Sequence, residues 1–177
     1  TTLTRLEQIM SEGFSDELNT ILMRSTFKIE GISKEREGLP TTGTVFVLGK
    51  SATKDPKYLY YVLVTATHVL DNIKGDKATL HLRKKIGNLY EKVRTEISIR
   101  KENKDLWVRH PEVDVSAMYV GLSKDIDISL LPISFLADDG VFKDVEIHSG
   151  DELLCLGYPF LAEANQAGFP ILRSGKI

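Results

Sequence analysis

Apolar positions in this chain follow two different periods. The first 24 residues read as helical. Thr4-Arg5-Leu6-Glu7 has the form of a capping box, and Gly13 that of a stop. Ser15-Asp16-Glu17-Leu18 opens a second short helical pattern with Leu18, Ile21 and Leu22 on one face. From residue 25 the period shortens. Residues 25–29 predict a strand, and residues 34–42 a polar loop holding Gly38 and Pro40. Thr44-Val45-Phe46-Val47-Leu48 is β-branched or apolar throughout, the pattern of a strand covered on both faces. A turn-rich loop over 49–56 leads to a second apolar strand over 58–66. Residues 78–84 and 89–100 predict strands around a turn at Ile86-Gly87-Asn88. In the first of them Leu80 and Leu82 alternate with His81 and Arg83, which predicts leucines inward and His81 and Arg83 in solvent. Further strands are predicted at 113–120, 126–131, 152–156 and 171–177.

Many short strands with close turn signals predict an all-β fold, a sandwich or barrel, behind a short helical extension over 1–24. A weak boundary at 121–125 divides residues 25–124 from residues 125–177.

Charge changes this picture little. The chain has 23 basic and 25 acidic residues, a net charge of −2, so nothing calls for nucleic acid or an anionic membrane as partner. Arg83-Lys84-Lys85 and Arg100-Lys101 read as solvated surface. No apolar run reaches the length of a membrane span, and the residues at the start do not predict a signal peptide. The single cysteine, Cys155, excludes an internal disulfide and favours a reducing cytoplasm. Its setting in Leu153-Leu154-Cys155-Leu156 predicts a buried, inert thiol. His81 and His148 read as surface residues, and His110 precedes Pro111 in a loop near Asp114. The scattered histidines have no ligand spacing for zinc, and Asp125, Asp127 and Asp138-Asp139 lack the pattern of a calcium loop. No metal and no cofactor is expected.

The residue that stands out is His68, at the end of the apolar run over 60–72. A lone histidine in such a run is more often packing than chemistry. Here small residues, Thr65, Ala66 and Thr67, precede it and leave room for other groups. Imidazole also titrates near neutrality, so it can take and return a proton.

The order of motifs resembles the chymotrypsin-like, or trypsin-like, serine peptidases. Gly43-Thr44-Val45-Phe46-Val47 is similar to the family's Gly-Thr-Gly-Phe strand, with Val45 in place of the second glycine. Leu63-Val64-Thr65-Ala66-Thr67-His68 is similar to the strand that ends in the catalytic histidine, with Thr67 in place of alanine. Asp114-Val115-Ser116-Ala117-Met118 is similar to the strand opened by the catalytic aspartate, with Ser116 in place of alanine, 46 residues after His68. Trp107 and His110-Pro111 precede it as in bacterial members. The stretches 150–159 and 169–177 resemble two successive strands of the family's second barrel.

The resemblance implies a double β-barrel with the second barrel incomplete. It implies peptide-bond hydrolysis by a Ser-His-Asp triad, His68 as general base and Asp114 as its orienting acid. Asp127, 59 residues after His68 and also opening an apolar strand, is the competitor for the acid. The nucleophile is missing. The serines after Asp114 are Ser116, Ser123, Ser129, Ser134, Ser149 and Ser174, and none has the family's Gly-x-Ser-Gly setting. The same absent loop supplies the oxyanion hole. The 177 residues therefore read as a fragment, inactive alone, whose second barrel a C-terminal segment or a second chain would complete. A protein or peptide substrate is expected. The reading from a different class is a non-catalytic binding or scaffold module on a peptidase-like fold.

Overall fold

The computed structural model describes residues 18–51 and 59–177. The helix expected at 4–13 and most of the loop expected at 49–56 lie outside the described residues. The fold is all-β, built on one antiparallel sheet with short helices at its edges.

Helix α1 (Leu18–Ser25) runs into β1 (Thr26–Ile32). Strand β2 (Pro40–Ser51) is long enough to serve two neighbours. Its first half pairs with β1, from Ile32↔Pro40 to Thr26↔Phe46, and its second half with β3 (Leu59–Thr65). Helix α2 (Thr67–Asn72) follows, then the hairpin β4 (Lys77–Ile86) and β5 (Leu89–Ser98), turning at Gly87 with φ 60°. The two-residue strands β6 (Arg100–Lys101), β7 (Lys104–Asp105) and β8 (Val108–Arg109) lead to β9 (Ser116–Val120). The strand order is β5-β4-β1-β2-β3-β9-β8, with β10 (Leu131–Pro132) parallel to β2 at Leu48↔Leu131. After helix α3 (Asp139–Asp144), β11 (Glu152–Gly157) and β12 (Ile171–Lys176) form a separate two-stranded sheet.

The sheet path is open. Among the described residues its terminal strands, β5 and β8, do not pair, so the complete first barrel expected from the sequence is not closed by hydrogen bonds. The strand expected at 126–131 is also mostly absent. Ile126 makes an isolated bridge to Lys84, and only Leu131 belongs to a strand. The intervening backbone serves side chains and packing instead, with Asp127 N donating to Arg83 O at 2.7 Å.

The core lies on one face of this sheet, with Phe27, Ile29, Val45, Val47, Leu63, Leu80 and Leu82 all fully buried. Alternation along β4 is therefore real, but its second face is not solvated. Arg83 is fully buried and His81 is 7 % exposed, against the expectation for both. The reason is tertiary: the C-terminal residues and the backbone of α1 and β1 cover that face. The Arg83 guanidinium lies between the rings of Phe27 and Phe169, at 4.4 and 4.3 Å. It donates to the carbonyl oxygens of Met23, Thr26 and Gly168, each at 2.9 Å. Arg100 is likewise not free surface: its side chain is 11 % exposed and stacks 4.7 Å from the Trp107 ring.

His81 sits in a cage of charge. Its Nε2 approaches Glu30 Oε2 at 3.3 Å without hydrogen-bonding geometry, and its Nδ1 has no partner. Burial first, and then the Lys28 ammonium with Arg94 and Lys92, pull its pKa below the ordinary value against the pull of Glu30. The unfolded chain keeps an ordinary imidazole, near 6.5. As pH falls through that value the unfolded chain binds a proton that the fold refuses, so stability drops on acidification. His81→Leu is expected to flatten the acid-side slope of unfolding free energy between about pH 7 and 5. Urea titrations across that range measure it, and an unchanged slope would remove His81 as the cause.

Cys155 is exposed rather than buried. It lies in β11, whose two-stranded sheet leaves Leu153 and Leu154 about half exposed as well (54 % and 52 %). Two strands alone cannot cover both faces.

Candidate active site

The site is organised around α2, a helix of six residues. A helix this short has no stability of its own. Its place is set by ties to distant parts of the chain.

Four ties are visible. Val69 presses on β2 at Gly43, where an added Cβ would stand 2.6 Å from both Val69 methyls. Arg100 caps the C-terminal end, donating to the carbonyls of Leu70 (2.8 Å), Ile73 (2.9 Å) and Gly75 (2.6 Å). Arg109 on β8 pairs with Asp71, and also with Asp105. Thr67 Oγ1 and Ser116 Oγ lie 2.7 Å apart, joining the first turn of α2 to the start of β9. Thr67 and Ser116 are the two positions where alanine was expected from the resemblance, and here they are each other's partners. Gly43→Ala is expected to push α2 outward and cost about 1–3 kcal/mol, the range of an overpacked core. Chemical denaturation measures the loss, and a neutral Gly43→Ala would show that α2 does not depend on this close approach.

The N-terminal end of α2 carries His68. The N-cap residue, Ala66, has extended φ/ψ (−67°, 136°) and no capping side chain. Asp114 takes that role from across the sheet. Its Oδ1 accepts the His68 backbone N–H at 3.0 Å, and its Oδ2 contacts the Nδ1 of the same residue in a short hydrogen bond. One carboxylate thus fixes both the backbone and the ring of His68. The helix end and the backbone donors favour the charged carboxylate. The His68 hydrogen bonds, side chain first and then backbone, hold the Asp114 carboxyl below the usual carboxylate range.

Asp127 stands elsewhere. Both of its oxygens are taken by Arg24, from Nε at 3.1 Å and Nη2 at 2.8 Å. The structure brings His68 to Asp114 and leaves Asp127 as the partner of α1.

The His68–Asp114 pair is open to solvent, with the side chains 73 % and 54 % exposed. Chemically, a carboxylate on Nδ1 selects the Nδ1–H tautomer and leaves Nε2 with a free lone pair. That nitrogen can accept a proton from a hydroxyl brought to it, and the carboxylate stabilises the imidazolium that results. Among the described residues Ser116 is buried and bonded to Thr67, so it is not a free hydroxyl beside the ring.

The ties through Arg100, Arg109 and Gly43 were not legible as parts of a site. Their only sequence signal was a basic residue beside Trp107 and a glycine before an apolar strand. No family model matches the chain, and searches of curated proteins and of solved structures found no match either.

Proposed function

We propose that this chain is the His- and Asp-bearing part of a trypsin-like serine peptidase domain, with His68 as general base and Asp114 as its orienting acid. On this reading the fold is the family's double β-barrel, with residues 125–177 forming an incomplete second barrel. The observation that carries the proposal is the double engagement of His68 by one carboxylate, at Nδ1 and at the backbone N–H. A surface ion pair has no need of the second contact, whereas a base that must present Nε2 in one direction does.

In the proposed reaction a serine hydroxyl attacks the carbonyl carbon of a peptide bond. Its proton passes to His68 Nε2, and the pair Asp114–imidazolium holds the charge. The same proton then goes to the leaving amine as the C–N bond breaks. Water repeats the sequence on the acyl-enzyme and releases the carboxylic acid. The serine is not one of those in residues 1–177, none of which has the glycine setting of the nucleophile loop.

The isolated 177-residue chain is therefore expected to hydrolyse no peptide at a useful rate. Turnover that disappears in His68→Ala would contradict the missing nucleophile. A reading from another class, a binding or scaffold module, is favoured by that same lack of a Gly-x-Ser-Gly serine. Reading the coding sequence past the Ile177 codon separates the two. A Gly-x-Ser-Gly motif within the next few dozen codons supports the peptidase. A stop codon, or another residue in that slot, supports the module.

A further inference from the structure

Asp114 reaches His68 from a loop that packing does not hold. All six residues over 110–115, between β8 and β9, are exposed. Hydrogen bonds must therefore fix its shape. The loop closes on itself through His110 N to Val115 O at 2.8 Å, and Val115 N donates to Val113 O at 2.8 Å. Inside it, the His110 ring accepts two backbone N–H groups at Nδ1, from Glu112 and from Val113, each at 3.2 Å. Pro111 has no N–H, so these are the first two donors the loop offers after His110.

An acceptor that reaches N–H groups two and three residues ahead is ordinarily an Asn, Asp or Ser side chain. Here it is an imidazole. The difference matters, because Nδ1 can accept only while it carries no proton. The neutral ring must be the Nε2–H tautomer, the opposite of the tautomer that Asp114 selects at His68. A protonated His110 would turn a third donor toward two N–H donors.

We propose that His110 is the positioning residue for Asp114: its unprotonated Nδ1 shapes the 110–115 loop so that the carboxylate meets His68. Its charged neighbours along the chain are Arg109 on β8 and Glu112 and Asp114 on the loop. Arg109 and Asp71 are already tied to each other, and Asp114 to His68. The consequence for catalysis rests on the proposed peptidase reading, whereas the geometry does not.

Nitrogen-15 NMR of the imidazole rings on the 177-residue chain tests this without any activity. Wild type is expected to show His110 as the Nε2–H tautomer and His68 as the Nδ1–H tautomer. His110→Asn restores a side-chain acceptor for the two amides, so it should keep the His68 tautomer. His110→Ala should lose the Nδ1–H preference at His68 while the core methyl shifts stay dispersed. If His110→Ala leaves the His68 tautomer unchanged while Asp114→Asn alters it, the positioning role is wrong and the pair stands. If Asp114→Asn also leaves His68 unchanged, the pair itself, and the peptidase reading with it, falls.

Discussion

Arg83→Ala is expected to lower the unfolding free energy by about 3–5 kcal/mol, the range for breaking a buried charged network and opening a cavity beside it. The expectation follows from what the guanidinium holds. It joins the carbonyl of Met23 in α1, that of Thr26 in β1 and that of Gly168 in the C-terminal part. The Tyr158 hydroxyl bonds the same Thr26 and Gly168 carbonyls, at 3.3 and 3.0 Å. Removing Arg83 takes the donor from the Met23 carbonyl, leaves the single Tyr158 proton to serve the carbonyls of Thr26 and Gly168, and opens a gap between Phe27 and Phe169. For a domain of this size the loss corresponds to a drop in Tm on the order of 10 °C. Arg83→Met keeps the stem between the two rings and loses only the hydrogen bonds, so it should fall between wild type and alanine. Urea unfolding monitored by near-UV circular dichroism reads all three. A loss below about 1 kcal/mol for alanine, the size of an ordinary surface substitution, would mean that the C-terminal part does not depend on this residue.

This centre shows why sequence alternation failed at β4. Leu80 and Leu82 point into the core as the pattern demanded, and their neighbours do occupy the opposite face. Alternation reports which residues share a face, not what covers it. The cover over Arg83 comes from residues 75 and 85 positions along the chain, Tyr158 and Gly168. The same limit explains Arg100, whose stack on Trp107 needs a turn between β6 and β7 that no local pattern announces. Cys155 failed in the other direction. Leu153-Leu154-Cys155-Leu156 looked like core, but among the described residues the strand carrying it has one neighbour, and a strand with one neighbour leaves its apolar residues half in water.

The all-β class and the strands at 44–48 and 58–66 were legible because apolar runs rich in β-branched residues have few alternatives, and the strand at 78–84 was legible through its alternation. At the candidate site the contact between His68 and Asp114 follows the motif order, while Asp127 is held by Arg24. The contact between Thr67 and Ser116 was not legible. Each looked like an isolated departure from alanine, 49 residues apart, and only the register Thr65↔Ser116 between β3 and β9 makes them neighbours.

The second large effect concerns that site. On the proposed peptidase reading, His68→Ala in a form of the protein that carries a nucleophilic serine is expected to reduce peptide hydrolysis by about 10²–10⁴, the contribution of a general base. Asp114→Asn should reduce it on the same scale, about 10⁴ in the reference triad, because an amide favours the wrong tautomer of the ring. Asp127→Asn should leave turnover unchanged at constant fold, since Asp127 serves Arg24 and not the imidazole. Circular dichroism separates this from unfolding.

The most direct test of the proposed peptidase reading is therefore kcat for peptide hydrolysis by the product of the complete gene, compared between wild type, His68→Ala and Asp114→Asn. The account predicts measurable hydrolysis in wild type and a loss of two or more orders of magnitude in both variants. Hydrolysis that survives His68→Ala unchanged, or a downstream sequence with no serine nucleophile and no hydrolysis at all, would contradict it.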